Sequence, residues 1–131
     1  MIIDTSAMMA ILRLEPEARR LLEAIKAADR RAMSAATLVE AGIVAEARGG
    51  EQGARDLDSV LERLKIEIVP LSERHAANAR RAYRRYGKGQ GHATKLNFGD
   101  CMAYALAKAE GEQLLCKGDD FAKTDVAVAP Y

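Results

Sequence analysis

Asp4, Glu40, Asp100 and the doubled Asp119-Asp120 each stand at a punctuation point of this chain. Asp4 ends the opening Met1-Ile2-Ile3, three apolar residues that read as a strand buried on both faces with a charged tip. Two readings of that tip are open, because Asp also caps helices, as Thr5 and Ser6 beside it could. Glu40 lies in the first turns of a helix that follows a second strand, where a glutamate serves either as a complement to the helix dipole or as a second site acid. Asp100 opens the helix leading to a fourth strand, and Asp119-Asp120 follow that strand. In a parallel sheet the crevice lies outside the carboxyl ends of the strands, so all of these acids can converge on one edge. Carboxylates gathered in a partly desolvated cleft repel, and the relief is proton uptake or a divalent cation. No paired His or Cys accompanies them, so the donor set is all oxygen, which favours Mg²⁺ or Mn²⁺ over Zn²⁺. Such a centre suits phosphodiester hydrolysis, in which metal ions activate water and stabilise charge on the phosphate.

The elements that must position these acids alternate along the chain. Ala7 to Arg13 reads as a short helix, and Pro16 to about Ala28 as the next, with Pro16 at its first position and Ala18, Leu21, Leu22 and Ile25 at helical spacing. Residues 31–34 form a second strand, entering a helix capped by Ser34 or Thr37 that Gly49-Gly50 closes. Glu51 to Leu64 forms a further helix, and Ile66 to Pro70 a third strand. Ser72 opens a basic helix to about Tyr86, followed by a glycine-rich stretch, Gly87 to His92, expected to be a mobile loop. Asn97 or Phe98 begins the helix of Asp100, residues 113–116 are the fourth strand, and Val126 to Val128 a possible fifth. The alternation predicts a single α/β domain over residues 1–131, a three-layer α/β/α sandwich with a mainly parallel central sheet.

Composition bounds the function. With 131 residues, 49% of them apolar, and no Trp, the chain describes one helix-rich domain with an aliphatic core. A net charge of +1 gives no global polybasic signal for nucleic acid or membrane, so any attraction has to be local. Cys101 and Cys116 are too few for a disulfide framework and read as small buried hydrophobes in a reducing compartment. No targeting peptide and no long apolar run is apparent, so a soluble, cytoplasmic protein without a membrane partner is expected. Met8, Met9, Leu12 and Leu14, with Leu21, Leu22 and Ile25, exceed what one core face requires and predict either a partner groove or homodimer packing.

Four segments carry a family resemblance: Ile-Ile-Asp-Thr-Ser-Ala at the start, Ser-Ala-Ala-Thr-Leu-Val-Glu ending at Glu40, Leu-Asn-Phe-Gly-Asp-Cys-Met-Ala-Tyr-Ala-Leu-Ala around Asp100, and Leu-Leu-Cys-Lys-Gly-Asp-Asp-Phe at residues 114–121. In order and spacing they resemble PIN-domain toxins of the VapC type. The resemblance implies a Mg²⁺- or Mn²⁺-dependent endoribonuclease, the toxin of a toxin-antitoxin pair, held inactive by a cognate VapB-type antitoxin. It implies that Asp4, Glu40 and Asp100 match the family's acidic triad and that Asp119 or Asp120 is its fourth acid, with Asp120 favoured because it precedes Phe121. It also implies that Thr5 or Ser6 is the hydroxyl residue that orients the carboxylates or water. The antitoxin's C-terminal segment would lie between the first helices.

A haloacid-dehalogenase-like phosphatase needs a second Asp two positions after the first, where Ser6 stands. A non-catalytic antitoxin-binding module would be expected to have lost its acids. A metal-dependent DNA nuclease remains the serious alternative, because the metal chemistry does not use the 2′-hydroxyl. For substrate contact, Arg80, Arg84, Arg85 and Lys88, interleaved with Tyr83 and Tyr86, could clamp and stack RNA, although such a helix is more often a solvated face. His75 and His92 are expected at the surface without chemistry.

Overall fold

Two-residue strands are enough here because each feeds two cores. In the computed structural model of the chain, which describes residues 1–91 and 93–131, β1 (Ile2–Ile3) is fully buried. Alternate side chains of a strand point to opposite faces. Ile2, with Ala32 and Leu114, therefore enters a core shared with the last two helices, whereas Ile3, Met33 and Leu115 enter a core under the first three. β2 (Ala32–Ser34), β3 (Glu67–Val69) and β4 (Leu114–Leu115) complete a sheet of order β3-β2-β1-β4, parallel throughout. The result is the expected three-layer arrangement.

Helix starts follow their caps. Asp4 is the N-cap of α1 (Thr5–Leu12), so that helix begins at Thr5 and not at Ala7. α2 (Ala18–Ala27) starts past Pro16, which lies in the preceding turn and not at the helix's first position. Ser34, not Thr37, caps α3 (Ala35–Arg63). At Gly50 the backbone takes φ 59° and ψ −154°, values that glycine tolerates, so α3 is two helices meeting at a kink where the glycine pair predicts a break. α4 (Glu73–Tyr86) is capped by Ser72, and α5 (Phe98–Glu110) by Asn97. The fifth strand does not form: Val128 makes a single parallel bridge with Leu114.

Burial corrects several expectations. Met8, Met9, Leu21 and Ile25 are core residues, so most of the apolar excess near the N-terminus is internal packing. Only Leu12 and Leu22, half-buried, and Leu14, which is 84% exposed, remain for a partner. His75 is buried, not exposed; its Nδ1 accepts from the Ser72 backbone N–H while Ser72 Oγ accepts from its own, a capping box with His in the usual Glu place. Tyr86 is buried beside Tyr104, with ring centroids 6.0 Å apart, and cannot stack on RNA. The loop after α4 is pinned at its base, where Lys88 N–H donates to the Leu96 carbonyl and Leu96 N–H to that of Tyr86. His92 lies outside the described residues. Among those residues, no helix is long and apolar enough to cross a membrane.

Candidate active site

Each predicted acid is delivered by a different element and held by a different neighbour. Asp4 leaves the end of β1 while its backbone N–H donates to the Leu115 carbonyl of β4 at 2.9 Å. Its Oδ2 accepts from Ser6 N–H at 2.9 Å and from Ser6 Oγ–H, so Asp4 does cap α1, with one oxygen engaged in the cap. Oδ1 is buried and accepts no hydrogen bond. Burial holds the Asp4 carboxyl above its usual range, against the opposing pull of the Ser6 hydrogen bonds.

Ser6 does a second task. Its Oγ accepts from Lys117 N–H at 2.9 Å, tying the start of α1 to the segment that carries Asp119 and Asp120. The Lys117 ammonium pairs with Glu15 and, at 3.2 Å, with Glu17, which fixes that segment from the other side. Phe121, buried in the core, anchors its far end.

Glu40 is placed by Thr5 and by an absence. Thr5 Oγ donates to Glu40 Oε2 at 2.6 Å. Beneath the carboxylate lies Gly99, where a Cβ would stand 2.0 Å from Oε1 and 2.3 Å from Cδ. Glu40 therefore rests on the first turn of α5, whose exposed N–H groups and dipole favour an anion. Gly99 is the positioning residue that reading the sequence missed.

Asp100 completes a capping box with Asn97. Its Oδ2 accepts from Asn97 N–H at 2.7 Å, and its own N–H donates to Asn97 Oδ1 at 2.9 Å. Burial pushes its carboxyl up to about 7, the Asn97 bond opposes the shift, and the charges of Asp4, Asp120 and Glu40 add to it. Asp120 is among the largest charges that act on Asp100. Both of that pair are exposed.

The four acids thus share one electrostatic field, yet among the described residues no three of His, Cys, Asp or Glu stand close enough to hold an ion as a ready-made cage. Mg²⁺ keeps several of its own waters and takes only about one or two carboxylates directly, so a loose ring of acids suits it. Cys101 and Cys116 are buried free thiols pushed up by burial to about 11 and about 12, and take no part.

The basic helix divides into two faces. Arg80, Tyr83 and Arg84 line a cavity of about 560 Å³ with Phe98, Cys101 and Met102 between α4 and α5. Arg85 turns to the other face, with its guanidinium 4.9 Å from the Tyr86 ring centroid and 3.7 Å from Asp125. It leaves the predicted RNA-contact set on that ground, whereas Lys88 stays exposed on the loop.

The PIN-domain family model matches residues 1–127. The chain is 50% identical over 127 residues to ribonuclease VapC of Mycolicibacterium smegmatis, covering 97% of this chain and 98% of that one. It belongs to the VapC ribonucleases of the PIN-domain family. Its fold matches the crystal structure of Mycobacterium tuberculosis VapC20, described as a sarcin-ricin loop cleaving toxin, with TM-score 0.79 at 14% identity over 99% of this chain and 98% of that one. A toxin-antitoxin complex from Klebsiella pneumoniae matches with TM-score 0.71 at 24% identity over 99% of this chain and 97% of the other. At those identities the structures bear on fold alone, and here the parallel VapC sheet is what carries the acids to one edge.

Proposed function

We propose that this chain is the toxin of a type II toxin-antitoxin pair, an endoribonuclease whose Asp4, Glu40, Asp100 and Asp120 hold Mg²⁺ or Mn²⁺. The observation that carries the metal reading is Asp4 Oδ1, a buried carboxylate oxygen without a hydrogen-bond partner. Leaving such an acceptor unpaired costs about 1–3 kcal/mol, and more for a charged group, a cost that a bound cation would relieve. The donors around it are all oxygen, which fits a hard divalent cation. When bound, such an ion supplies Lewis acidity, lowering the pKa of water and offsetting charge on the scissile phosphate.

The chain's own residues supply geometry and proton control. Ser6 holds one oxygen of Asp4 and leaves the other open. Thr5 and the Gly99 cradle aim Glu40, and Asn97 aims Asp100. Burial and the neighbouring acids hold the Asp100 carboxyl up to about 7, and a bound cation would favour its charged form.

The cognate VapB-type antitoxin is part of this reading, supported by the neighbouring toxin-antitoxin complex. Its groove is narrower than the sequence suggests: a cavity of about 630 Å³ lined by Ile11, Leu12, Leu14, Leu22, Val60 and Leu64. Exposed Val39 and Ile43 on α3 offer apolar surface for a homodimer. Purified protein incubated with single-stranded RNA and DNA of the same sequence, in Mn²⁺ or in EDTA, tests the activity. RNA cut only in Mn²⁺ supports it, whereas cutting in EDTA, or of DNA alone, refutes it.

A further inference from the structure

The apolar cavity between α4 and α5 flanks the acids without containing any. Phe98 is the first residue of α5 and Asp100 the third, so ring and carboxylate leave the same helical turn about 3 Å apart along the axis and on different sides. Phe98 is 76% exposed, an unusual place for a phenyl ring unless something covers it. Across the cavity stands Tyr83, 41% exposed. Its ring lies back over Gly87, where a Cβ would come within 2.9 Å of it. Cys101 and Met102 line the cavity with apolar atoms.

Its rim is cationic. Arg80 and Arg84 line the cavity one helical turn apart, exposed, and neither pairs with a carboxylate among the described residues, unlike Arg85 on the opposite face. In a chain of net charge +1 this is a local feature. An apolar cavity lined by two aromatic rings, with two unneutralised guanidiniums at its edge and an acid centre next door, matches a ligand that has a flat apolar face and an anionic group together. A nucleotide of single-stranded RNA has both. A second copy of the chain would have to bring acids to satisfy the arginines.

We propose that this cavity is a nucleotide subsite, which seats one unpaired base of the RNA next to the scissile phosphate between Phe98 and Tyr83, with Arg80 and Arg84 on the flanking phosphates. The subsite rests on the ribonuclease reading and deepens it, because it sets which base stands beside the cut.

The test uses a fluorescein-labelled single-stranded RNA 12-mer of random sequence, bound in EDTA and followed by anisotropy, with wild type, Phe98→Ala and Arg80→Gln/Arg84→Gln. Phe98→Ala is expected to raise Kd about tenfold. The double arginine variant is expected to lower the slope of log Kd against log salt by about 1.4. Both side-chain sets are exposed, so melting temperatures should match wild type. With Mn²⁺ and a random RNA pool, sequenced ends should show that Phe98→Ala alters base preference at one position beside the cut while cutting persists. Unchanged Kd and unchanged ends would overturn the subsite while leaving the nuclease intact. Phe98→Ala that turns a dimer into a monomer in sedimentation would also overturn it, assigning the face to a second copy. A wild type that cuts no RNA would overturn the ribonuclease reading and the subsite with it.

Discussion

Gly99 lies directly beneath Glu40: a Cβ on residue 99 would fall 2.0 Å from Glu40 Oε1. Any side chain there must push the carboxylate off the first turn of α5. Because the displaced atoms are the end of a flexible side chain, the fold can absorb the change. Alanine is better than glycine inside a helix by about 1 kcal/mol. Gly99→Ala is therefore expected to keep or raise the melting temperature while cutting kcat/KM by about 10-fold to 100-fold, the range associated with a misplaced catalytic group. Activity equal to wild type would show that Glu40's position does not matter.

Asp100 makes stability depend on pH in a defined direction. Its carboxyl is held up to about 7 in the folded protein, against an ordinary 3.8. Between those values the folded chain binds more protons than the unfolded one, so stability falls as pH rises through this window. Without metal, the melting temperature should drop from pH 5 to pH 8, and Asp100→Asn should flatten the profile and melt higher at pH 8. Melting in EDTA across that range checks both, and a wild-type profile that rises toward pH 8 contradicts the assignment.

Asp119 and Asp120 should separate cleanly. Asp120 is among the largest charges acting on the Asp100 carboxyl and directly precedes the buried Phe121. Asp120→Asn is expected to lose at least tenfold more activity than Asp119→Asn in parallel Mn²⁺ assays. The reverse ranking would move the fourth site to Asp119.

How much of this was legible in the sequence depended on the range of each interaction. Asp4 stood out because an apolar strand ends on it, and Asp100 because it stands in the first turn of the helix leading to the fourth strand; both signals are local. The role of Gly99 was invisible, since its missing Cβ matters only once α3 brings Glu40 over it. Ser6's second bond, to Lys117, spans 111 positions and left no local trace. Tyr86 misled because helical phase alone cannot say which side Tyr104 will occupy, and His75 because a capping box ordinarily takes Glu or Gln. The methionines of α1 misled through burial: the sheet and α3 cover the side of that helix that looked spare.

The antitoxin surface has its own test. Leu12 lines the groove at the C-terminal end of α1, about two helical turns along the axis from Thr5 and Ser6. Leu12→Asp should weaken co-purification with the antitoxin about tenfold or more and leave nuclease activity unchanged, since a charge at a half-buried apolar contact costs on the order of 2–4 kcal/mol. A complex of unchanged affinity would place the antitoxin elsewhere.

The central claim is that the four acids hold the cation that RNA cleavage requires. Calorimetric titration of Mn²⁺ into wild type, Asp4→Asn and Asp100→Asn, each shown to be folded by circular dichroism, addresses it most directly. Wild type should bind saturably, and each variant at least tenfold more weakly, because each loses one carboxylate of a small set. Equal Mn²⁺ affinity in all three proteins would contradict the account.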